Sequence, residues 1–130
     1  MISLDTNILV YAFEAGPRRA RAMALINEEA LLSVQVLNEY ANSIRRKYRR
    51  AWSDLADDLE AIRAAAGGIV PITDTANREA LRLVQRYQLS FFDAVLLAVA
   101  LENGIELLYS QDMQHDLVID GTLRIVDPFR

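Results

Sequence analysis

At 130 residues the chain has the length of one domain, long enough to bury a real core without disulfide or metal staples. The apolar fraction of 52% and charged fraction of 25% are ordinary for a globular protein, and the lack of cysteine excludes disulfides, thiolate zinc sites and cysteine nucleophiles. A net charge of −4 argues against a nucleic-acid binder that works by bulk positive charge.

Residues 2–4 read as a short apolar strand and residues 8–13 as the apolar stretch of a helix, with Asp5, Thr6 and Asn7 between them. Pro17 stands at the start of a second helix running to about Ala30, and Leu31–Ser33 reads as a short buried strand. Gln35–Arg50 is predicted as a helix, with Val36, Leu37, Tyr40, Ala41, Ile44 and Tyr48 forming its apolar stripe. Ser53 is placed to cap a helix from about Asp54 to Ala66, closed by Gly67 and Gly68. Ile69–Ile72 is a strand that tolerates Pro71 best at a sheet edge, and Thr73 or Asp74 caps a helix to about Tyr87.

Ser90 precedes Phe91–Asn103, a helix apolar on nearly every side and therefore central, which Gly104 ends. Ile105–Tyr109 and Leu123–Val126 complete the strands. No repeat or linker divides residues 1–130. Short apolar strands alternating with helices imply an α/β domain whose parallel sheet is covered on both faces. The longest apolar run, Ala94–Leu101, falls well short of the ~18–20 residues that span a membrane. No basic region opens the chain and Asp5 interrupts its first apolar stretch, so a cytoplasmic location is expected.

Four acids stand where such a sheet gathers chemistry. Asp5 follows the first strand, and a helix cap would account for it alone. Asp112, in YSQDMQHD, follows the strand 105–109, and a turn would account for it. Asp93 lies inside SFFDAVLLAVAL; Ser90 and Asp93 match a capping box, yet a carboxylate so near a core is costly unless paired or bound to a cation. Glu39 flanks the apolar stripe of its helix, and Asn42 and Ser43 supply no cation one turn on.

In an open parallel sheet, functional groups collect beyond the carboxyl ends of the strands, and all four acids can converge there. Carboxylates crowded in one cleft repel each other unless cations hold them. An all-oxygen site suits a hard divalent ion, Mg²⁺ or Mn²⁺, and a single histidine, His115, serves zinc poorly.

With these residues in order, the chain resembles the PIN-domain ribonucleases, in particular the VapC-type toxins of toxin–antitoxin pairs. The resemblance spans essentially the whole chain and rests on LDTNILVY, Val36–Tyr40 with Glu39, FFDAVLLAVA, LLYSQDMQHD and the closing IVDPF. It implies a three-layer α/β/α sandwich with a short parallel central sheet, and Asp5, Glu39, Asp93 and Asp112 as catalytic and metal-binding residues. Asn7 and Ser110 match supporting polar positions, and Asp116 is a further supporting candidate. It also implies a homodimer and a small antitoxin whose C-terminal segment blocks the site.

The expected reaction is hydrolysis of an RNA phosphodiester with Mg²⁺, for which Mn²⁺ substitutes. Arg18, Arg19, Arg45, Arg46 and Arg49 are candidate phosphate contacts within two basic groups whose ordinary role is to solvate helix faces. The alternative is a PIN-like module that binds RNA or protein without cutting. A haloacid-dehalogenase phosphotransferase fits less well, since Asn7 replaces its second aspartate, and no Gly-x-Ser-x-Gly elbow is present for a serine triad.

Overall fold

Strands of two to four residues cannot stand alone, so each must be paired and covered. The computed structural model, which describes residues 1–130, achieves this in a six-stranded sheet ordered β3-β2-β1-β4-β6-β5. In chain order the elements are β1 (Ile2–Leu4), α1 (Thr6–Phe13), α2 (Arg19–Ile26), β2 (Leu31–Ser33), α3 (Val34–Tyr48) and α4 (Trp52–Ala65). There follow β3 (Gly68–Val70), α5 (Asp74–Tyr87), α6 (Phe91–Glu102), β4 (Leu107–Tyr109), β5 (Val118–Ile119) and β6 (Leu123–Val126). All neighbours are parallel except β5, which runs antiparallel to β6.

The order fixes the layers. Crossovers β1–β2 and β2–β3 step one way along the sheet, and β3–β4 steps back past β1. Right-handed crossovers therefore put α1–α4 on one face and α5–α6 on the other, the expected α/β/α sandwich. α6 is the central helix: Ala94 through Ala100 are all buried. The strand order reverses between β2 and β4, with β1 at the middle, and the carboxyl end of β1 is the switch point.

Several local expectations shift. α2 is shorter than predicted because Pro17 lies in the preceding turn and Glu29, at φ +55°, lies in the turn that leads into β2. α3 starts one residue earlier, capped by Ser33, whose Oγ accepts the Gln35 amide at 3.1 Å, and it ends at Tyr48 with Arg49 left-handed. Ser53 is not a cap; α4 begins at Trp52, behind Ala51. β3 is confined to Gly68–Val70 at the sheet edge, which leaves Pro71 just outside it, and β4 starts at Leu107. β5 was not foreseen, since two residues carry no periodicity. Gly67 permits one close approach: a Cβ there would stand 2.1 Å from the Glu29 carbonyl oxygen.

Candidate active site

Register brings the first two site residues together. Leu4 pairs with Tyr109 across β1 and β4, and the Asp5 amide donates to the Tyr109 carbonyl at 2.9 Å. The next residues of the two strands, Asp5 and Ser110, therefore emerge side by side. Ser110, fully buried, donates from Oγ to Asp5 Oδ2 at 2.8 Å. Its oxygen in turn accepts the amides of Asp112 at 3.2 Å and Met113 at 3.3 Å. Asp5 Oδ1 accepts the Thr6 amide at 2.7 Å, so the capping role and the site role coexist in one carboxylate. Asn7 donates from Nδ2 to Asp5 Oδ2 at 3.4 Å and accepts the Gln111 amide at 3.3 Å.

Replacing Ser110 by alanine removes the acceptor for two amides and the donor to a buried carboxylate. Unfolding in denaturant should show a loss of about 1–3 kcal/mol; an unchanged midpoint would mean that water takes over all three bonds.

The remaining acids approach from three directions. Glu39, half-buried on α3, accepts from Thr6 Oγ1 at 3.0 Å, which ties it to the residue after Asp5. Asp93, half-buried in the first turn of α6, donates its amide to Ser90 Oγ at 3.3 Å. The return bond of a capping box is not made, and the Asp93 carboxylate is left without a hydrogen bond. Asp112 is exposed in the bend after β4. Both Asp93 and Asp112 lie near enough for their charge to act on Asp5.

Asp116 is turned elsewhere, towards His115 Nε2 at 3.3 Å and Arg124 at 3.8 Å. Arg45 donates to the Arg50 carbonyl at 2.8 Å and lies over Trp52, holding the α3–α4 turn. Arg46 and Arg49 follow Glu39 by about 10 and 15 Å of helix rise. Arg18 and Arg19 are exposed after α1.

Two contributors escaped the sequence reading. Thr6 orients Glu39, although it sits in the quoted LDTN. Gln35, one turn before Glu39, donates from Nε2 to the Phe92 carbonyl at 3.0 Å and so fixes the start of α3 against the start of α6. Its buried Oε1 has no partner. A glutamine at the edge of an apolar stripe gives no signal of either bond.

Burial pushes the Asp5 carboxyl up to about 6; the Ser110 and Thr6 bonds oppose this, and the charges of Asp93 and Asp112 add to it. A cation is the direct remedy for a buried carboxylate among like charges. No three acidic or histidine side chains stand close enough together to chelate one ion. Mg²⁺ does not require that, since it keeps several waters and uses one or two carboxylates with substrate phosphate. The chemistry of the donors suits such an ion: Asp5 could hold it with one of Asp93, Asp112 or Glu39 and water.

A family model for the PIN domain matches residues 2–118. The chain belongs to the PIN-domain family. This PIN domain shares its fold with a toxin–antitoxin complex from Klebsiella pneumoniae at 21% identity and a TM-score of 0.76, over 98% of each chain. It is similar to the VapC20 toxin of Mycobacterium tuberculosis, described as cleaving the sarcin–ricin loop, at 24% identity and a TM-score of 0.69, over 86% of this chain and 92% of that one. VapBC2 from Rickettsia felis, bound to a DNA fragment from its promoter, matches at 17% identity and a TM-score of 0.71, over 98% of this chain and 100% of that one. Among curated proteins no sequence matches.

Proposed function

We propose that this PIN domain is a metal-dependent endoribonuclease and the toxin of a toxin–antitoxin pair. The observation that carries the reading is the buried, cation-demanding Asp5 braced by Ser110, with Asp93 and Asp112 acting on it and Glu39 tied to the neighbouring Thr6. When bound, Mg²⁺ would supply charge neutralisation at the scissile phosphate and an acidified water. Asp5, locked by Ser110 and Thr6, fixes where the phosphate must sit. Glu39, oriented by Thr6 Oγ1, is placed to accept the proton of the attacking water at a carboxylate oxygen. The carboxylates of Asp93 and Asp112 accept no hydrogen bond and would be available to the ion.

The test is cleavage of labelled total cellular RNA by antitoxin-free protein, with Mn²⁺ or with chelator, beside single-stranded DNA. Metal-dependent cuts in RNA support the reading. A silent binding module would instead bind RNA indifferently to metal and would not take up Mn²⁺ in a direct titration.

The antitoxin reading rests on the two structural relatives that are toxin–antitoxin assemblies. An apolar groove of about 280 Å³ among α1, α2, α3 and α4, lined by Leu9, Phe13, Met23, Ile26 and Ala61, suits an apolar segment of that partner. Ala61→Arg should abolish co-purification with the antitoxin and leave RNA cleavage intact; retained binding would move the partner off this groove.

A further inference from the structure

Some arginines are matched by carboxylates: Arg50 pairs with Asp58 at 2.8 Å, and Arg82 pairs with Asp120 at 2.5 Å. Arg18, Arg21 and Arg130 have no ion pair, yet all three line one open surface pocket of about 370 Å³. The rest of that lining is Pro17, Pro128 and Phe129, so no acidic side chain faces it. In a chain of net charge −4, three guanidinium groups with no ion pair are gathered around one pocket, where they repel each other.

Two of the three are also held in place. The Arg18 guanidinium lies over Tyr11 at 5.1 Å and Phe129 at 5.8 Å from the ring centres, and that of Arg21 lies over Tyr109 at 5.8 Å. Stacking fixes the plane of a guanidinium and leaves its N–H edge free for a forked pair of bonds to an oxyanion. The supporting rings belong to the acidic site's own framework. Tyr109 is the residue before Ser110, and Tyr11 donates its hydroxyl to Gln111, the neighbour of Asp112.

We infer that Arg18 and Arg21, with Arg130, form a phosphate subsite that holds the RNA strand on one side of the cleaved bond. This rests on the ribonuclease reading and adds Arg21 and Arg130 to it, while the Arg46–Arg49 end of α3 takes no part. RNA is favoured over an acidic peptide because a strand with one phosphate at the acids must carry its next phosphates past the adjoining surface. The stacked arginines position the strand through those phosphates.

The experiment is fluorescence anisotropy of a short labelled single-stranded RNA in chelator, over a salt series, with Mn²⁺ cleavage measured on the same preparations. Arg18→Gln/Arg21→Gln should weaken binding by at least about tenfold and flatten the slope of log K against log salt by about 1.4, two phosphates at ~0.7 each. It should still unfold cooperatively with only a small loss of stability, because both side chains are exposed and give up surface stacking alone. Arg46→Gln/Arg49→Gln should keep the wild-type slope. Arg18→Lys should keep the slope but bind less tightly, because an ammonium lacks the planar fork. Wild-type slope in the first variant, with RNA still bound and cleaved, overturns the subsite and leaves the ribonuclease reading standing; so does a variant that loses only antitoxin binding. Wild-type protein that neither binds nor cleaves RNA overturns both.

Discussion

Asp5→Asn should melt higher than the wild type at pH 8 in chelator, and should cleave no RNA. The sign follows from the raised Asp5 pKa. Between its ordinary value of 3.8 and about 6, the folded chain holds a proton that the unfolded chain has released. Stability therefore falls as pH rises through that window and stays low above it. Ionising Asp5 in the fold costs on the order of 3 kcal/mol at pH 8. Asparagine avoids that cost and still caps α1, but its amide group cannot serve both Thr6 and Ser110 as acceptor, which returns about 1–2 kcal/mol. The net gain at pH 8 is about 1–2 kcal/mol, read by denaturant unfolding; it should vanish at about pH 5 and change sign below about pH 4, where wild-type Asp5 is protonated in both states and only the lost acceptor counts. Mn²⁺ at a hundred times its Kd should stabilise wild type by about 2.7 kcal/mol and the variant far less. A variant that melts lower in chelator, and gains as much from Mn²⁺ as wild type, would reduce Asp5 to a helix cap.

Asp93→Asn separates two roles that coincide in the sequence. Ser90-x-x-Asp93 reads as a capping box, so loss of activity in Asp93→Asn could reflect a weakened helix. The carboxylate, however, makes no capping bond; the only bond at this position runs from the Asp93 amide to Ser90 Oγ and survives the substitution. Asp93→Asn should therefore leave the metal-free unfolding midpoint level with wild type or slightly above it, while Mn²⁺-dependent cleavage falls by at least about 100-fold, the upper range for disturbing even the surroundings of a metal ligand. Ser90→Ala should do the reverse: lose about 1 kcal/mol and keep most of its activity. If Asp93→Asn unfolds as easily as Ser90→Ala and cuts at the wild-type rate, the cap is the whole role of Asp93.

These contrasts mark what could be read in the sequence. The strands around Asp5 and Ser110 were legible because buried parallel strands are plain apolar runs, and the uniformly apolar stretch at 91–103 could only be a central helix. The ends of α2 and α4 were not, because Ser53 offers the chemistry of a cap at a position where the helix has already begun. β5 was invisible for its length. Residue type singled out Asp5, Glu39, Asp93 and Asp112 as candidates, but the bonds that hold Asp5 and Glu39 pass between residues far apart in sequence. Thr6 reaches Glu39, and Gln35 reaches the Phe92 carbonyl, by way of tertiary packing that no local pattern encodes. The stacked arginines belong to the same class: Arg18 and Arg21 look like a solvated face until Tyr11, Tyr109 and Phe129 are placed beneath them.

The pairing of β1 with β4 also sets when the site can exist. Asp5 is synthesised 105 positions before Ser110. β1 cannot take its place between β2 and β4 until β4 has been made, and at about 5–20 residues per second that interval lasts several seconds. During it Asp5 has no Ser110 brace, no Asp112 beside it and no buried environment. The group of side chains around Asp5 is thus assembled in one late step, when β1 docks against β4.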